Sequence, residues 1–202
     1  FSIITDYQKG IKYPIADFEI TPDVAIVDPE LAETMPQKLV AHTGMDAMTH
    51  AIEAYVSTAN CDFTDPLALH AIKMIQNDLV GSYNGDMEKR DAMHNAQCLA
   101  GMAFSNVGLG VVHGMAHPLG AIFDIPHGVA NALLLPTIME FNAPAALDKY
   151  VTIAKAMNVY KDGMSKEEAA QAAVDAVKSL AVRVGICLLY TSPSPRDISG
   201  SR

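Results

Sequence analysis

Basic clusters and long apolar runs are both lacking in this chain, and each absence excludes a class of partner. Its 14 Lys and Arg residues are outnumbered by 23 Asp and Glu, which gives a formal net charge of -9 with no basic cluster to neutralise a phosphate backbone. The longest apolar stretches, such as residues 130–136, are too short to cross a bilayer. We therefore expect neither a nucleic-acid partner nor a membrane.

Cysteine is also scarce, with 3 residues at positions 61, 98 and 187. These scattered positions do not form the pattern of a disulfide framework, so a reducing cytoplasm is the expected location. Because the chain begins with Phe1, we expect its true N-terminus to lie further upstream. The lack of a signal peptide therefore carries no weight.

The last residues, 187–202, differ from what precedes them. A helical pattern that ends at Gly185 is followed by Cys187-Leu-Leu-Tyr-Thr-Ser-Pro-Ser-Pro-Arg-Asp197. One reverse translation of this segment resembles the transposon-end adaptor used in building sequencing libraries. A polar Ser/Pro tail of low complexity is the alternative. We favour adaptor read-through and expect residues 187–202 not to be native protein.

Two short β-like runs, Phe1–Thr5 and Val24–Val27, precede a chain that otherwise has helical patterns. Proline at the first helical position favours helix starts at Pro36 and Pro66. The pattern Ser165-Lys-Glu-Glu168 is a capping box. Helices are predicted over 36–57, from 65 to a stop at Gly81, and over 87–104, 111–123, 128–140, 144–157 and 165–184. The prediction is a mainly α fold preceded by short β-strands.

Histidines are concentrated in one part of the chain, where 3 of the 7 lie between His113 and His127. On a helix, His113 and His117 share one face, with β-carbons about 5–6 Å apart. His127 stands at a tight junction between Pro126 and Gly128. This pattern is typical of a metal site, although a pair of histidines at this spacing also occurs in packing or capping roles.

A second group of candidate ligands lies earlier in the chain. His42, Asp46 and His50 are spaced four apart, which places them on one helical face. Periodicity does not choose between His42 and His50, because both lie one turn from Asp46. A carboxylate with three neutral imidazoles would leave a divalent ion positively charged and able to act as a Lewis acid on a substrate oxygen. The alternative is that histidines are buried and satisfied by backbone carbonyls, as we expect for His70 and His94.

Three segments resemble the iron-containing alcohol dehydrogenase family. They are Gly44-Met-Asp-Ala-Met-Thr-His-Ala-Ile-Glu-Ala-Tyr55, Gly108-Leu-Gly-Val-Val-His-Gly-Met-Ala-His-Pro-Leu-Gly120 and Pro126-His-Gly-Val-Ala-Asn131. Their order and separation also agree with the family, and the resemblance extends over about residues 1–186. Within the family, the sequences of these segments most resemble those of lactaldehyde reductases, which interconvert lactaldehyde and 1,2-propanediol with NAD.

The resemblance implies a ligand set for Fe(II), with Zn(II) possible, made of Asp46, His50, His113 and His127. It also implies that His117 positions the substrate or relays a proton, and that His42 is structural. The expected reaction is NAD(P)-dependent interconversion of a small primary alcohol or diol and its aldehyde. The complete enzyme is expected to be a homo-oligomer, as a dimer.

The family has an N-terminal dinucleotide-binding domain and a C-terminal helical domain. The resemblance places residues 1–30 at the end of the first domain and residues 31–186 in the helical metal-binding domain, which is incomplete. Lys12 lies where the family places a lysine near the cofactor. The glycine-rich turn for the cofactor's pyrophosphate is not in this sequence, and Gly108-Leu-Gly110 lacks the third glycine, so we interpret these glycines as close-packing positions. The fragment alone is expected to be inactive.

Two other classes of function use the same residues. A metal-dependent hydrolase would activate water with the same ligands, but no Glu stands beside His113 or His117 as zinc proteases require. A helical scaffold without enzymatic activity would hold no stoichiometric metal. Metal analysis and a nicotinamide-dependent assay separate the three hypotheses.

Overall fold

The N-terminal strands pair with each other. The computed structural model describes residues 2–6, 8 and 11–187. Ser2–Asp6 (β1) and Ile11–Ile15 (β2) are antiparallel, with Ser2 opposite Ile15 and Asp6 opposite Ile11. The first predicted run is therefore a strand, whereas the prediction for 24–27 is wrong, because that segment has no regular secondary structure. Val24 and Ile26 are 75% and 86% exposed, and within the described residues no strand pairs with this segment to accept its backbone hydrogen bonds.

The rest of the described chain is helical. Its α-helices are α1 Gln37–Val56, α2 Asp65–Tyr83, α3 Met87–Val107, α4 Val111–Phe123, α5 His127–Asn142, α6 Leu147–Ala156 and α7 Lys166–Arg183. Short 3-10 helices cover Phe18–Ile20, Pro29–Ala32 and Ala143–Ala145. The predicted class, mainly α after short β-strands, is confirmed for these residues. Among them no helix taken singly has the length and hydropathy of a membrane span, and α3 with α4 reaches them only as a pair bent by 104°.

Helix ends follow the polar residues that the sequence supplies. Asp86 accepts hydrogen bonds from the backbone N–H groups of Glu88 and Lys89 at the start of α3. The predicted capping box at the start of α7 is present, with Ser165 and Glu168 bonded to each other's backbone N–H. The stop predicted at Gly81 is wrong, since α2 continues to Tyr83. Glycine costs only about 1 kcal/mol relative to Ala inside a helix, so packing against neighbouring helices can carry the helix past it.

Helix α1 is the centre of the core and packs against α2, α3 and α5. Met45, Met48 and Ile52 of α1 are each at most 1% exposed. Gly44 allows the close approach of α2, because a Cβ at this position would overlap the Leu79 side chain. Helices α6 and α7 pack against each other, and α7 also packs against α5. Since one side of α1 is enclosed in this way, a polar side chain on that buried side needs a partner inside the protein.

Candidate metal centre

One face of α1 carries a carboxylate, an imidazole and a second carboxylate. Asp46, His50 and Glu53 are offset by four and then three positions, so they lie along one stripe of the helix. The side chains of Asp46 and His50 are 22% and 21% exposed. Glu53 is 5% exposed, deep beside the apolar core. This stripe is the α1 contribution to the candidate site.

Helices α4 and α5 bring two further imidazoles to the same carboxylate oxygen. The Nε2 atoms of His113 and His127 lie 3.3 and 3.6 Å from Asp46 Oδ1. His50 Nε2 lies 3.9 Å from that oxygen. The rings of His50 and His113 stack with centroids 4.5 Å apart. Side chains separated by more than 60 positions in the sequence therefore converge on Asp46 Oδ1.

The approach of α5 depends on Gly128. A Cβ built at this position would lie 2.6 Å from the carbonyl carbon of His42 on α1, well inside van der Waals contact. Only glycine lets the first turn of α5 approach the α1 backbone this closely. The neighbouring His127 is thereby carried to the Asp46 carboxylate.

The imidazoles are not equally enclosed. The ligand atoms of Asp46, His50 and His113 all lie within 4.8 Å of one another, whereas His127 falls outside this mutual set among the described residues. Its short distance to Asp46 still includes it in the cluster, and its side chain is 38% exposed against 3% for His113. His127 therefore lies on the solvent side of the group.

His117 and His42 lie at the margins of the cluster. The His117 ring stacks on His127 with centroids 5.0 Å apart, and its centroid is 6.2 Å from that of His113. His42 lies one turn before Asp46, and its backbone carbonyl forms the close approach to Gly128. His94 Nδ1 lies 3.3 Å from the Arg90 carbonyl, as expected for a satisfied histidine. His70 is exposed, so the expectation that it is buried was wrong.

Glu53 is a site residue to which the sequence reasoning assigned no role. Its Oε2 lies 2.7 Å from His113 Nδ1, and its Oε1 accepts a hydrogen bond of 2.7 Å from the backbone N–H of Val112. Two features of the sequence could have identified Glu53. It lies on the same helical stripe as Asp46 and His50, and it is an acidic residue inside the apolar run 51–55. A buried carboxylate in such a run requires strong hydrogen-bond donors.

Asn131 was also missed, although it closes one of the quoted motifs. It is fully buried, and its Nδ2 donates to Asp46 Oδ1 at 2.5 Å. The same nitrogen lies 3.1 and 3.2 Å from the Nε2 atoms of His113 and His127. Its position four residues after His127, on the same face of α5, was the signal that could have identified it.

The electrostatics of the cluster favour an ionised carboxylate. Burial by itself raises the pKa of Asp46, but the hydrogen bond with His113 and the nearby imidazoles outweigh it and hold that pKa below its usual value. Burial lowers the pKa of His50 to about 4, so this imidazole is neutral at pH 7. Burial also opposes protonation of His113, but hydrogen bonds to Asp46 and Glu53 raise its pKa to about 8.

The donor set fits a divalent transition metal. One carboxylate oxygen and imidazole nitrogens suit Fe(II), Zn(II) or Co(II), and neutral imidazole is the form that binds them. The buried Asn131 Oδ1 has no hydrogen-bond partner in the described part of the chain, so protein groups alone leave this centre incompletely satisfied. The residues present are therefore compatible with the ion that the family resemblance implies.

Lys12 is the residue predicted to lie near the cofactor. Lys12 lies in β2, where it pairs with Thr5 of β1. Its side chain lies outside the part of the chain that the structure describes, so a role near the cofactor stays a prediction. The predicted non-native tail likewise falls outside it, except for the exposed Cys187.

Sequence comparisons point to one family. The family model described as "Fe-containing alcohol dehydrogenase family, C-terminal" matches residues 40–188. The chain is 59% identical over 180 residues to an NADPH-dependent butanol dehydrogenase of Clostridium saccharobutylicum, covering 89% of this chain and 46% of that protein. It is 50% identical over 196 residues to a lactaldehyde reductase of Escherichia coli (strain K12), covering 97% of this chain and 50% of that protein. The chain thus spans about half the length of the curated relatives it matches.

Solved structures agree with the sequence matches. A crystal structure of 1,3-propanediol oxidoreductase superposes with a TM-score of 0.88 at 39% identity, over 98% of this chain and 51% of that one. An alcohol dehydrogenase from Oenococcus oeni gives a TM-score of 0.87 at 38% identity, over 99% of this chain and 51% of that one. The helical fold and the matched sequence identify this chain as a member of the Fe-containing alcohol dehydrogenase family, corresponding to its C-terminal region.

Proposed function

We propose that the chain is the metal-binding half of an NAD(P)-dependent alcohol dehydrogenase that interconverts a small primary alcohol or diol and its aldehyde. The observation that carries the proposal is the convergence of three imidazole nitrogens within 3.9 Å of one carboxylate oxygen. This arrangement occurs in a chain that belongs to the Fe-containing alcohol dehydrogenase family.

The proposed ligands are Asp46, His50, His113 and His127. When bound, a divalent metal ion supplies a Lewis acid that favours the alkoxide form of an alcohol and stabilises charge on its oxygen. Asp46 supplies the negative charge, and its lowered pKa keeps it ionised. His50 contributes a neutral nitrogen because burial holds its pKa near 4. The partly exposed side of the cluster at His127 is where a substrate oxygen can enter.

His117 is proposed to position the substrate or to relay the proton that the alcohol releases. Its ring stacks on that of His127 at the margin of the cluster, with the ring centroids 5.0 Å apart. Histidine is a common general acid and base in enzymes, which is the chemistry that a proton relay to water requires.

The nicotinamide cofactor is assigned to the complete enzyme. The names of the two relatives include an NADPH-dependent dehydrogenase and a lactaldehyde reductase, which supports NAD(P) as hydride acceptor and lactaldehyde or 1,2-propanediol as a candidate substrate pair. We assign residues 1–30 to the end of the dinucleotide-binding domain and 31–186 to the metal-binding domain. A cytoplasmic homodimer is the proposed state of the full-length protein.

Metal content of the purified chain tests this proposal. After chelation and anaerobic reloading with Fe(II) or Zn(II), the wild-type chain should retain an equimolar amount of metal. Asp46→Ala should retain almost none, whereas His117→Phe should retain nearly all of it. The exposed His70 provides a control, because His70→Ala should not alter metal content. Equal metal loss in Asp46→Ala and His117→Phe would refute the division of roles.

The complete enzyme separates the remaining classes of function. An alcohol dehydrogenase reduces NAD(P) in step with alcohol consumption, and His117→Phe should lower turnover without removing metal. Hydrolysis without nicotinamide would instead identify a metal-dependent hydrolase. A wild-type chain that binds no stoichiometric metal would identify a helical scaffold.

A further inference from the structure

Glu53 has no part in the proposed ligand set, yet it is among the most enclosed charged residues in the described chain. Only 5% of it is exposed, and both of its carboxylate oxygens have partners on α4. Burying a carboxylate is costly unless strong donors compensate it. An acidic side chain in the apolar run of α1 therefore indicates a specific structural or functional role.

That role concerns the orientation of His113. Oε2 of Glu53 lies 2.7 Å from His113 Nδ1, while the opposite ring nitrogen, Nε2, lies 3.3 Å from Asp46 Oδ1. A carboxylate only accepts hydrogen bonds, so it selects the tautomer with the proton on Nδ1. The lone pair is then on Nε2, which faces the cluster.

The second oxygen of Glu53 fixes the helix that carries His113. Oε1 accepts a hydrogen bond of 2.7 Å from the backbone N–H of Val112, in the first turn of α4. That N–H has no partner within the helix, and a negative charge is favourable at a helix N-terminus. One side chain thus sets both the ring tautomer and the position of the backbone next to it.

Gly110 provides the space for this carboxylate. A Cβ at Gly110 would lie 2.7 Å from Glu53 Oε1 and 3.2 Å from its carboxyl carbon. The backbone of Gly110 is extended, with φ -107° and ψ -154°, so its value here is the absence of a side chain and not an unusual conformation. The close-packing role predicted for this glycine therefore has a partner, namely Glu53.

We propose that Glu53 is a positioning residue that holds His113 with Nδ1 protonated and Nε2 free to bind the catalytic metal ion. The proposal rests on the proposed function, since it requires that His113 is a ligand. Glu53 acts through His113, whose ring stands between it and Asp46. Outer-shell carboxylates of this kind orient metal-binding histidines and raise their basicity.

Glu53→Gln is the most informative variant, because it keeps the size of the side chain. A glutamine can offer its oxygen either to the Val112 N–H or to His113, but its NH₂ group then opposes the other donor. If the NH₂ group faces Nδ1, the ring proton moves to Nε2 and blocks it. Co(II) and Zn(II) affinity of the chain should fall roughly 10–100-fold, and Gly110→Ala should change it in the same direction by displacing the carboxylate.

Asp78→Asn is the matched control. Asp78 is also a buried carboxylate, 9% exposed, but it pairs with Lys89 at 2.7 Å, away from the cluster. Loss of its charge should leave metal affinity unchanged. Wild-type affinity in Glu53→Gln, with wild-type helicity by circular dichroism, would overturn the proposal while leaving the proposed function intact. A wild-type chain that binds neither ion overturns both.

A measurement on the wild-type chain does not depend on whether the variants fold. Nitrogen-15 NMR of the Zn(II)-loaded chain should show His113 bound through Nε2, with a slowly exchanging proton on Nδ1. Binding through Nδ1, or a rapidly exchanging Nδ1 proton, would contradict the role of Glu53 even if metal binding itself is normal.

Discussion

Gly128→Ala tests whether the contact between α5 and α1 holds the candidate metal centre together. The new Cβ would lie 2.6 Å from the carbonyl carbon of His42 and 3.1 Å from its Cα. Carbon atoms pack best at about 3.5–4.0 Å, so the start of α5 must retreat by about 1 Å. The backbone of Gly128 is not in the left-handed region, so the effect is steric and not conformational.

The retreat should affect metal binding and stability together. His127 Nε2 lies 3.6 Å from Asp46 Oδ1 and moves with Gly128, whereas a metal site tolerates ligand shifts of only about 0.2 Å. Affinity for Zn(II) or Co(II) should therefore fall by at least about tenfold, which corresponds to about 1.4 kcal/mol. Overpacking should cost about 1–3 kcal/mol of folding free energy. At about 2–4 °C per kcal/mol, the Tm should drop by roughly 2–12 °C.

Gly101→Ala on α3 is the control, because a Cβ there would meet nothing within 4 Å. Helix propensity alone predicts that this change is neutral or stabilises the chain by about 0.5–1 kcal/mol. The measurements are a metal titration and a thermal melt followed by circular dichroism. If Gly128→Ala matches Gly101→Ala in both, the contact does not position His127.

Three further predictions concern protonation, a buried cation and a helix cap. Because the pKa of His113 is about 8, a metal ion must displace a proton from His113 below that pH. The metal affinity measured by competition titration should therefore rise from pH 6.5 towards about 8. Above that pH His113 should cause no further rise in affinity. In the metal-free chain the sign is opposite: the contribution of His113 to folding is complete below pH 6.5 and is lost as pH rises through about 8, as urea unfolding should show. Arg90→Met should lower the free energy of unfolding by about 3 kcal/mol or more in the same assay. Arg90 is 4% exposed, and its guanidinium donates to the carbonyls of Ala32, Glu33 and Ser82, which are left unsatisfied when it is removed. A loss below about 1 kcal/mol would count against this reasoning. Ser165→Ala should lower the free energy of unfolding by about 1 kcal/mol, because the capping box is lost. Ser105→Ala, at an exposed position of α3, should not destabilise the chain. Equal effects of the two substitutions would contradict a stabilising role of the capping box.

The helices could be predicted because their signals are local. Pro66 follows Asp65 at the first turn of α2, Asp86 caps α3 and Ser165 caps α7, and each of these residues interacts within a few positions of itself. The strand predicted at 24–27 failed for the complementary reason. Its β-branched residues favour an extended backbone, but a strand also needs a partner, which local sequence does not specify.

The candidate site likewise combines features that the sequence predicted with features that depend on the whole fold. Periodicity placed Asp46 and His50 on one face of α1, and the resemblance of three motifs supplied the ligand set, including His113 and His127. Periodicity alone did not distinguish His50 from His42. In the folded chain the His50 ring stacks on His113, whereas His42 presents its backbone to Gly128. That distinction depends on where α4 and α5 lie, which is a property of the whole fold.

By itself the sequence determined the helical class, most helix boundaries and, through its motifs, the family and the candidate ligands. Only the tertiary structure decided that Glu53 and Asn131 belong to the site. Glu53 meets its partner His113 across 60 positions, and Asn131 meets Asp46 across 85. Periodicity reports which residues share a face of one helix, but it carries no information on which faces meet, because packing of the complete core sets those contacts.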